Sequence, residues 1–189
     1  MRRTICLAAV ALLAAGPALA HPGDEASGFL HPFSGLDHLL AMVGVGLWAA
    51  LLAGRKPAIA VAVPGAFLAM MAIGAAAGFA GIKLPLVEAA ILASVFVIGG
   101  LIIGAVRLPV AWAMAVVGLF AAFHGYAHAL EAPSTGASGY ILGFLAATAL
   151  LQGVGLALGW VVHRAVGDMG VRALGGVVFA AGAVALIAH

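Results

Sequence analysis

Charged side chains are scarce in this sequence. Lysine, arginine, aspartate and glutamate make up 7% of its 189 residues, against roughly a quarter in soluble domains. No cluster of lysine and arginine is present to attract nucleic acid, and no G-x-x-x-x-G-K-[ST] loop is present to hydrolyse ATP by that route. Apolar residues, in contrast, make up 66% of the chain. This composition argues against a soluble domain and predicts a protein of the lipid bilayer.

Cysteine is nearly absent as well. The one cysteine, Cys6, lies in a segment with the form of a signal peptide: two arginines, an apolar core over residues 5–15 and the small-x-small ending Ala18-Leu19-Ala20. Cleavage there would give a mature chain that begins at His21 and has no thiol. Metal ligands would then be nitrogen and oxygen, with methionine sulfur as an outside option. The alternative is that residues 1–20 remain attached as an anchor helix, although their apolar core is short for a membrane span.

Six apolar segments follow, each long enough to cross a bilayer. They predict an all-α, polytopic membrane protein with a signal peptide at 1–20, a periplasmic leader at 21–35 and a six-helix transport domain at 36–189. The expected spans are Leu36–Gly54, Pro57–Ala80, Leu84–Val106, Pro109–Leu130, Gly139–His163 and Gly170–Ala188.

The basic residues predict how these spans are oriented. If the mature N-terminus is exported, one basic residue, Lys83, falls in an outer loop and five fall in inner loops, as the positive-inside rule requires. The five are Arg55, Lys56, Arg107, Arg164 and Arg172. The sequence therefore predicts a multi-pass protein of a bacterial inner membrane with both mature termini in the periplasm.

A first polar cluster opens the first span. It reads His31-Pro32-Phe33-Ser34-Gly35-Leu36-Asp37-His38, and ionisable groups at such a position are costly unless they are paired, hydrated or bound to an ion. Pro32 and Gly35 predict irregular backbone, which would let His31 fold back toward Asp37 and His38. A helix N-cap is the alternative role for Asp37.

A second polar cluster closes the fourth span and reads His124-Gly125-Tyr126-Ala127-His128-Ala129-Leu130-Glu131. His124, His128 and Glu131 recur at i, i+4 and i+7, so they share one helix face and could hold one ion. For the two histidines alone, an interhelical hydrogen bond is as good an interpretation. Because the fourth span runs outward, both clusters should meet on the outer side around one divalent cation. The predicted metal-binding residues are His31, Asp37, His38, His124, His128 and Glu131.

Four further residues are candidates for accessory roles. His21 would present a free amine beside its imidazole, or simply belong to an N-terminal tail. Met42, one turn below His38, offers a thioether or packs in the core. Glu88 begins the third span and could line the entrance or face the helix dipole. Gln152, near mid-membrane on the fifth span, could pass an ion inward or bridge helices.

Both motifs resemble those of the HupE/UreJ family of nickel/cobalt permeases. The matching patterns are H-P-x-x-G-x-D-H, running into residues 39–49, and the later H-G-x-A-H-A-x-E. The resemblance covers the whole mature chain. It implies secondary uptake of Ni²⁺ or Co²⁺ for nickel enzymes such as hydrogenase or urease, and it implies that the histidine, aspartate and glutamate positions of the two motifs are required for transport.

The predicted function is therefore secondary uptake of a divalent transition metal, without a prosthetic group and without enzymatic activity. A nitrogen and oxygen site suits Ni²⁺, Co²⁺ or Zn²⁺, and affinity order alone does not choose between them. One alternative is a membrane-embedded zinc hydrolase, although H-E-x-x-H is absent. Another is a metal-binding partner of a separate permease that does not itself transport. The ion and the bilayer are the expected partners, and homo-oligomerisation stays open.

Overall fold

The computed structural model describes residues 25–54, 56–134 and 136–188. The predicted signal peptide and His21 lie outside the described residues. Within these ranges the chain forms six helices and no strand, so the prediction of an all-α membrane protein is confirmed. The helices are α1 (Glu25–Ser34), α2 (Leu36–Ala53), α3 (Pro57–Phe79), α4 (Val87–Ile103), α5 (Val110–Glu131) and α6 (Ala137–Ala188).

Helix α6 is long enough for two membrane crossings. At about 1.5 Å per residue its 52 residues would extend about 78 Å, far beyond a hydrocarbon core of about 30 Å. Its backbone breaks at Gly167, where φ is 72° and ψ is −166°. We call residues 137–166 the first arm and residues 168–188 the second arm; they correspond to the fifth and sixth predicted spans. Helices α2, α3 and α5 are also long and apolar enough to cross a membrane, and α4 is an apolar helix of 17 residues.

The segment before α2 differs from the prediction. Residues 25–34 form helix α1 in spite of Pro32, and the break in the backbone is confined to Gly35, which is extended at φ −95° and ψ 118°. Helix α1 packs on α6, with Gly28 so close that a Cβ there would collide with the Tyr140 carbonyl. The helix is stabilised by this tertiary contact, which local sequence does not reveal.

Helix α2 is the centre of the bundle, and most of its residues are buried. It packs on the first arm of α6, where Gly46 lies directly against the Gln152 backbone. Helices α3 and α5 form a second close pair, in which Gly125 lies against the Met71 carbonyl. Glycine allows two helix backbones to pack closely. Such packing matters in lipid, where the hydrophobic effect does not drive helices together. The site described below lies where these two pairs meet.

The ends of successive helices alternate between two faces of the bundle. At one face the Trp48 indole Nε1 donates to the Val106 carbonyl at 3.0 Å, which joins the end of α2 to the α4–α5 loop. Arg107 in that loop lies 3.5 Å from Asp168, beside the break in α6. The N-terminal end of α2 and the C-terminal end of α5 lie at the opposite face, together with α1.

Candidate metal centre

Four imidazoles from three helices lie against one another at the face that carries α1. His128 of α5 is the middle of the group, with ring centroids 5.0 Å from both His31 and His38. His38 is 5.1 Å from His124 and 6.2 Å from His31. Residues about ninety positions apart in the chain therefore share one cluster, which we call the histidine cluster.

Glu131 joins this cluster from the exposed side. Its Oε2 lies 2.8 Å from His31 Nε2 and 4.0 Å from His128 Nδ1. Each of these three side chains offers a ligand atom within 4.8 Å of the others. Tetrahedral coordination with bonds of about 2.1 Å places ligand atoms roughly 3.4 Å apart, so modest rotamer changes would close the group on one ion.

Exposure divides the cluster into an outer and an inner part. The side chains of His31 and Glu131 are 31% and 49% exposed, whereas His124 and His128 are fully buried. An ion that arrived from solvent would therefore reach the first pair before the second.

Asp37 contacts its neighbour His38. One carboxylate oxygen, Oδ1, accepts the His38 backbone N–H at 2.8 Å and lies 3.0 Å from His38 Nδ1. A carboxylate oxygen can only accept, so we assign the imidazole proton to Nδ1 and the lone pair to Nε2. Gly35, not Asp37, is the N-cap residue of α2, and it provides no side-chain cap. Asp37 therefore orients His38 as carboxylates orient metal-binding imidazoles in other proteins.

His124 is held in the same tautomer by a different group. Its Nδ1 lies 2.9 Å from the Phe120 carbonyl oxygen one turn earlier, and a carbonyl also only accepts. The lone pair is again on Nε2, which is buried. Backbone carbonyls are common partners for the distal nitrogen of metal-bound histidine.

His128 lies with its ring stacked on Phe144 of α6, with centroids 4.5 Å apart and planes inclined by 14°. Both of its ring nitrogens are buried, and within the described residues neither has a hydrogen-bond partner. His38 Nε2 and His124 Nε2 are in the same condition. Each such orphaned polar atom costs about 1–3 kcal/mol. In the described part of the chain, the interhelical hydrogen bond considered for His124 and His128 does not form.

The accessory candidates lie in different places. Met42 is buried below His38, and its Sδ accepts from the Thr148 hydroxyl at 3.3 Å. Gln152 is buried, and within the described ranges its amide has no partner. Glu88 is exposed in the first turn of α4, and no ion pair joins it to the histidine cluster among the described residues.

Three residues that the sequence reading missed contribute to this region: Phe144, Thr148 and Met71. The first two belong to a series at every fourth residue on the first arm of α6, from Tyr140 to Gln152, and all four are buried. Because this spacing is visible in the sequence, it could have been used to predict that Phe144 and Thr148 face the same side of the helix as Gln152. Nothing in the sequence around Met71 points to the cluster, because its position depends on the packing of α3.

Imidazoles and carboxylates that converge at one end of a helical membrane bundle are typical of the class of membrane proteins that handle metal ions. Within that class, the chain belongs to the HupE/UreJ family: the family model described as HupE / UreJ protein matches residues 8–185. Protein HupE of Rhizobium leguminosarum bv. viciae is 45% identical over 191 residues, which cover 97% of this chain and 96% of that protein. No solved structure matches the chain.

Family membership confirms the resemblance predicted from the two motifs. The family is associated with nickel and cobalt uptake and consists of transporters and accessory proteins. The prediction that the chain is not an enzyme is confirmed, and the zinc hydrolase alternative is set aside.

Proposed function

We propose that this protein is a secondary transporter that binds Ni²⁺ or Co²⁺ at the histidine cluster and releases it into the cytoplasm. One observation carries the proposal: His38, His124 and His128 have buried ring nitrogens without a hydrogen-bond partner in the described chain, and the ring centroid of His38 lies 5.1 Å from that of His124 and 5.0 Å from that of His128. Lone pairs left in this state are what a cation would satisfy. Lipid tails offer no such partner, and within residues 25–54, 56–134 and 136–188 no neighbouring helix provides one.

The charge of the site supports a divalent ion. Among the described residues, Asp37 and Glu131 are the two carboxylates in contact with the histidine cluster, and together they would offset two positive charges. Neutral imidazoles and carboxylates suit Ni²⁺, Co²⁺ and Zn²⁺, whereas Mg²⁺ and Ca²⁺ prefer sites made of oxygen alone. The proposed cargo is Ni²⁺ or Co²⁺, in keeping with the family's association with nickel and cobalt uptake.

The distribution of basic residues supports an orientation in the bacterial inner membrane with the histidine cluster in the periplasm. Arg107 lies at the face opposite the cluster, where the positive-inside rule would put the cytoplasm. An ion of charge +2 that enters an inside-negative cell gains about 4.6 kcal/mol per 100 mV of membrane potential. Uptake therefore has a driving force without ATP.

Cysteine labelling tests this orientation. In a Cys6→Ser background, Ser134→Cys lies in the loop beside α5 and Arg164→Cys lies near the break in α6; both positions are exposed. A membrane-impermeant maleimide should label the first and not the second in intact cells with a permeabilised outer membrane. The reverse pattern would contradict the orientation. Mass spectrometry of the same material should find the mature chain beginning at His21.

Transport itself is tested with purified protein in liposomes that hold an inside-negative potential. The wild-type protein should accumulate radioactive nickel, and His128→Ala should not. His163→Ala is a matched control, because His163 pairs with Asp168 at the opposite face and should leave accumulation unchanged. Absence of accumulation by the wild-type protein would favour the accessory-partner alternative and contradict the proposal.

A further inference from the structure

A second group of atoms that could bind a metal ion lies one helical turn below the histidine cluster. The Thr148 hydroxyl lies 3.3 Å from the Met42 sulfur and 3.6 Å from the Met71 sulfur, and all three side chains are fully buried. They come from α6, α2 and α3. Met42 follows His38 by four residues on α2, and Thr148 follows Phe144, the ring stacked on His128, by four residues on α6. The group therefore continues inward from the cluster by about 6 Å.

Gln152 extends this group by one further turn of α6. It is 1% exposed, and within the described chain neither its amide nitrogen nor its amide oxygen has a hydrogen-bond partner. The backbone of Gln152 lies against Gly46, eight residues along α2 from His38. Its position is thus about 12 Å inward of the cluster along α2, toward the middle of a hydrocarbon core of about 30 Å.

Core packing alone does not account for this group. The Thr148 hydroxyl can donate only one proton, and the two sulfurs within its reach are weak acceptors. An unpaired buried amide costs free energy that an apolar residue of the same size would not. The methionine, threonine and glutamine side chains nevertheless follow one another along the bundle, directly inward of the histidine cluster. The feature common to them is the ability to offer a lone pair without carrying a charge.

We infer that Met42, Met71, Thr148 and Gln152 form an inner station that a metal ion occupies briefly after it leaves the histidine cluster. The inference rests on the proposed function, and it adds a second, uncharged site on the inward path. Thioether sulfur is a soft ligand that favours transition metals over Mg²⁺ and Ca²⁺, which prefer oxygen ligands. Because the station carries no charge, it holds a divalent ion more weakly than the cluster does, and a conducting path requires sites weak enough for the ion to leave.

The double substitution Met42→Leu/Met71→Leu tests the station. Leucine keeps nearly the same volume, so the fold should survive. We expect the Kd of purified protein for Ni²⁺ to stay within about twofold, because the cluster is intact, while the initial rate of nickel uptake into liposomes falls by about tenfold or more. Met114→Leu is the matched control, since Met114 lies partly exposed on the outside of α5, and it should change neither quantity. Thr148→Val, of similar shape, should repeat the slow uptake.

Two results would overturn the inference: unchanged uptake in the double variant, or uptake and Ni²⁺ affinity that fall in parallel. If the double variant fails to fold in thermal unfolding, Thr148→Val decides alone by the same two criteria. Failure of the proposed function looks different, because then the wild-type protein itself accumulates no nickel.

Binding of Ag⁺ tests the station without transport. Ag⁺ is a soft cation that favours thioethers. In a Cys6→Ser protein that also carries His38→Ala and His128→Ala, titration with Ag⁺ should show a site whose affinity falls by about tenfold or more when the two methionines are replaced by leucine. An Ag⁺ affinity that does not respond to that replacement would overturn the station whether or not the protein transports nickel.

Discussion

Replacing Asp37 should weaken metal binding even though its carboxylate contacts His38 and is not itself proposed to bind the ion. Asp37 Oδ1 accepts the His38 backbone N–H at 2.8 Å and lies 3.0 Å from the ring Nδ1, so the lone pair of the ring is on the buried Nε2. Loss of a carboxylate that orients a metal-bound imidazole typically costs about 10–100-fold in affinity, or roughly 1.4–2.7 kcal/mol. Asp37→Ala removes both bonds and one of the two negative charges, so we expect about 100-fold.

Asparagine separates the two contributions. Asp37→Asn retains an oxygen that can accept the Nδ1–H and loses only the charge, so its effect should be the smaller, about tenfold. Isothermal titration of purified protein with Ni²⁺ measures both variants. A Kd for Asp37→Ala within about twofold of the wild-type value would refute the orienting role.

Asp168 provides the matched control for this experiment. Its Oδ1 lies 3.0 Å from His163 Nδ1, which is the same pair of groups at the same distance as in Asp37 and His38. The control pair lies at the opposite face. Asp168→Ala should leave Ni²⁺ affinity unchanged, and an equal loss there would show that the effect is not specific to the cluster.

Three other predictions concern proton competition, packing and the outer carboxylate. Uptake should fall as the outer medium drops below about pH 6, because protonated imidazole cannot bind metal; constant uptake between neutral and acid pH would count against imidazole ligands. Gly125→Ala should lower protein stability by about 1–3 kcal/mol, since its Cβ would meet the Met71 carbonyl, whereas Gly65→Ala, with open space around it, should not; equal thermal unfolding of the two variants would contradict the close approach. Glu131→Gln should weaken Ni²⁺ binding by about tenfold or more, because it removes the charge beside His31; an unchanged Kd would exclude Glu131 as a ligand.

The spans could be predicted from the sequence because hydropathy and length dominate in lipid. The first span was expected at Leu36–Gly54 and is found at Leu36–Ala53; the second was expected at Pro57–Ala80 and is found at Pro57–Phe79. The fifth and sixth were expected to be separate helices, and they form one element broken only at Gly167. No proline interrupts that stretch, so the helix continues to a single glycine.

The site could be predicted only in part. The i, i+4, i+7 spacing predicted that His124, His128 and Glu131 share one face of their helix. The alternation of the spans predicted that His31 and His38 lie on the same side of the membrane as those three residues. The hydrogen-bond partners of the individual imidazoles could not be predicted from the spacing of the residues. Whether a ring nitrogen binds a carboxylate, a backbone carbonyl or nothing depends on how three helices pack.

The most direct test of the account is the number of Ni²⁺ ions that the purified protein binds tightly, measured by equilibrium dialysis in the wild-type protein and in His38→Ala and His124→Ala. If α2 and α5 contribute ligands to one site, the wild-type protein binds one ion and each substitution alone weakens it by about 100-fold. Two tightly bound ions in the wild-type protein, with one retained by each variant, would mean that the two motifs hold separate ions and would contradict the account.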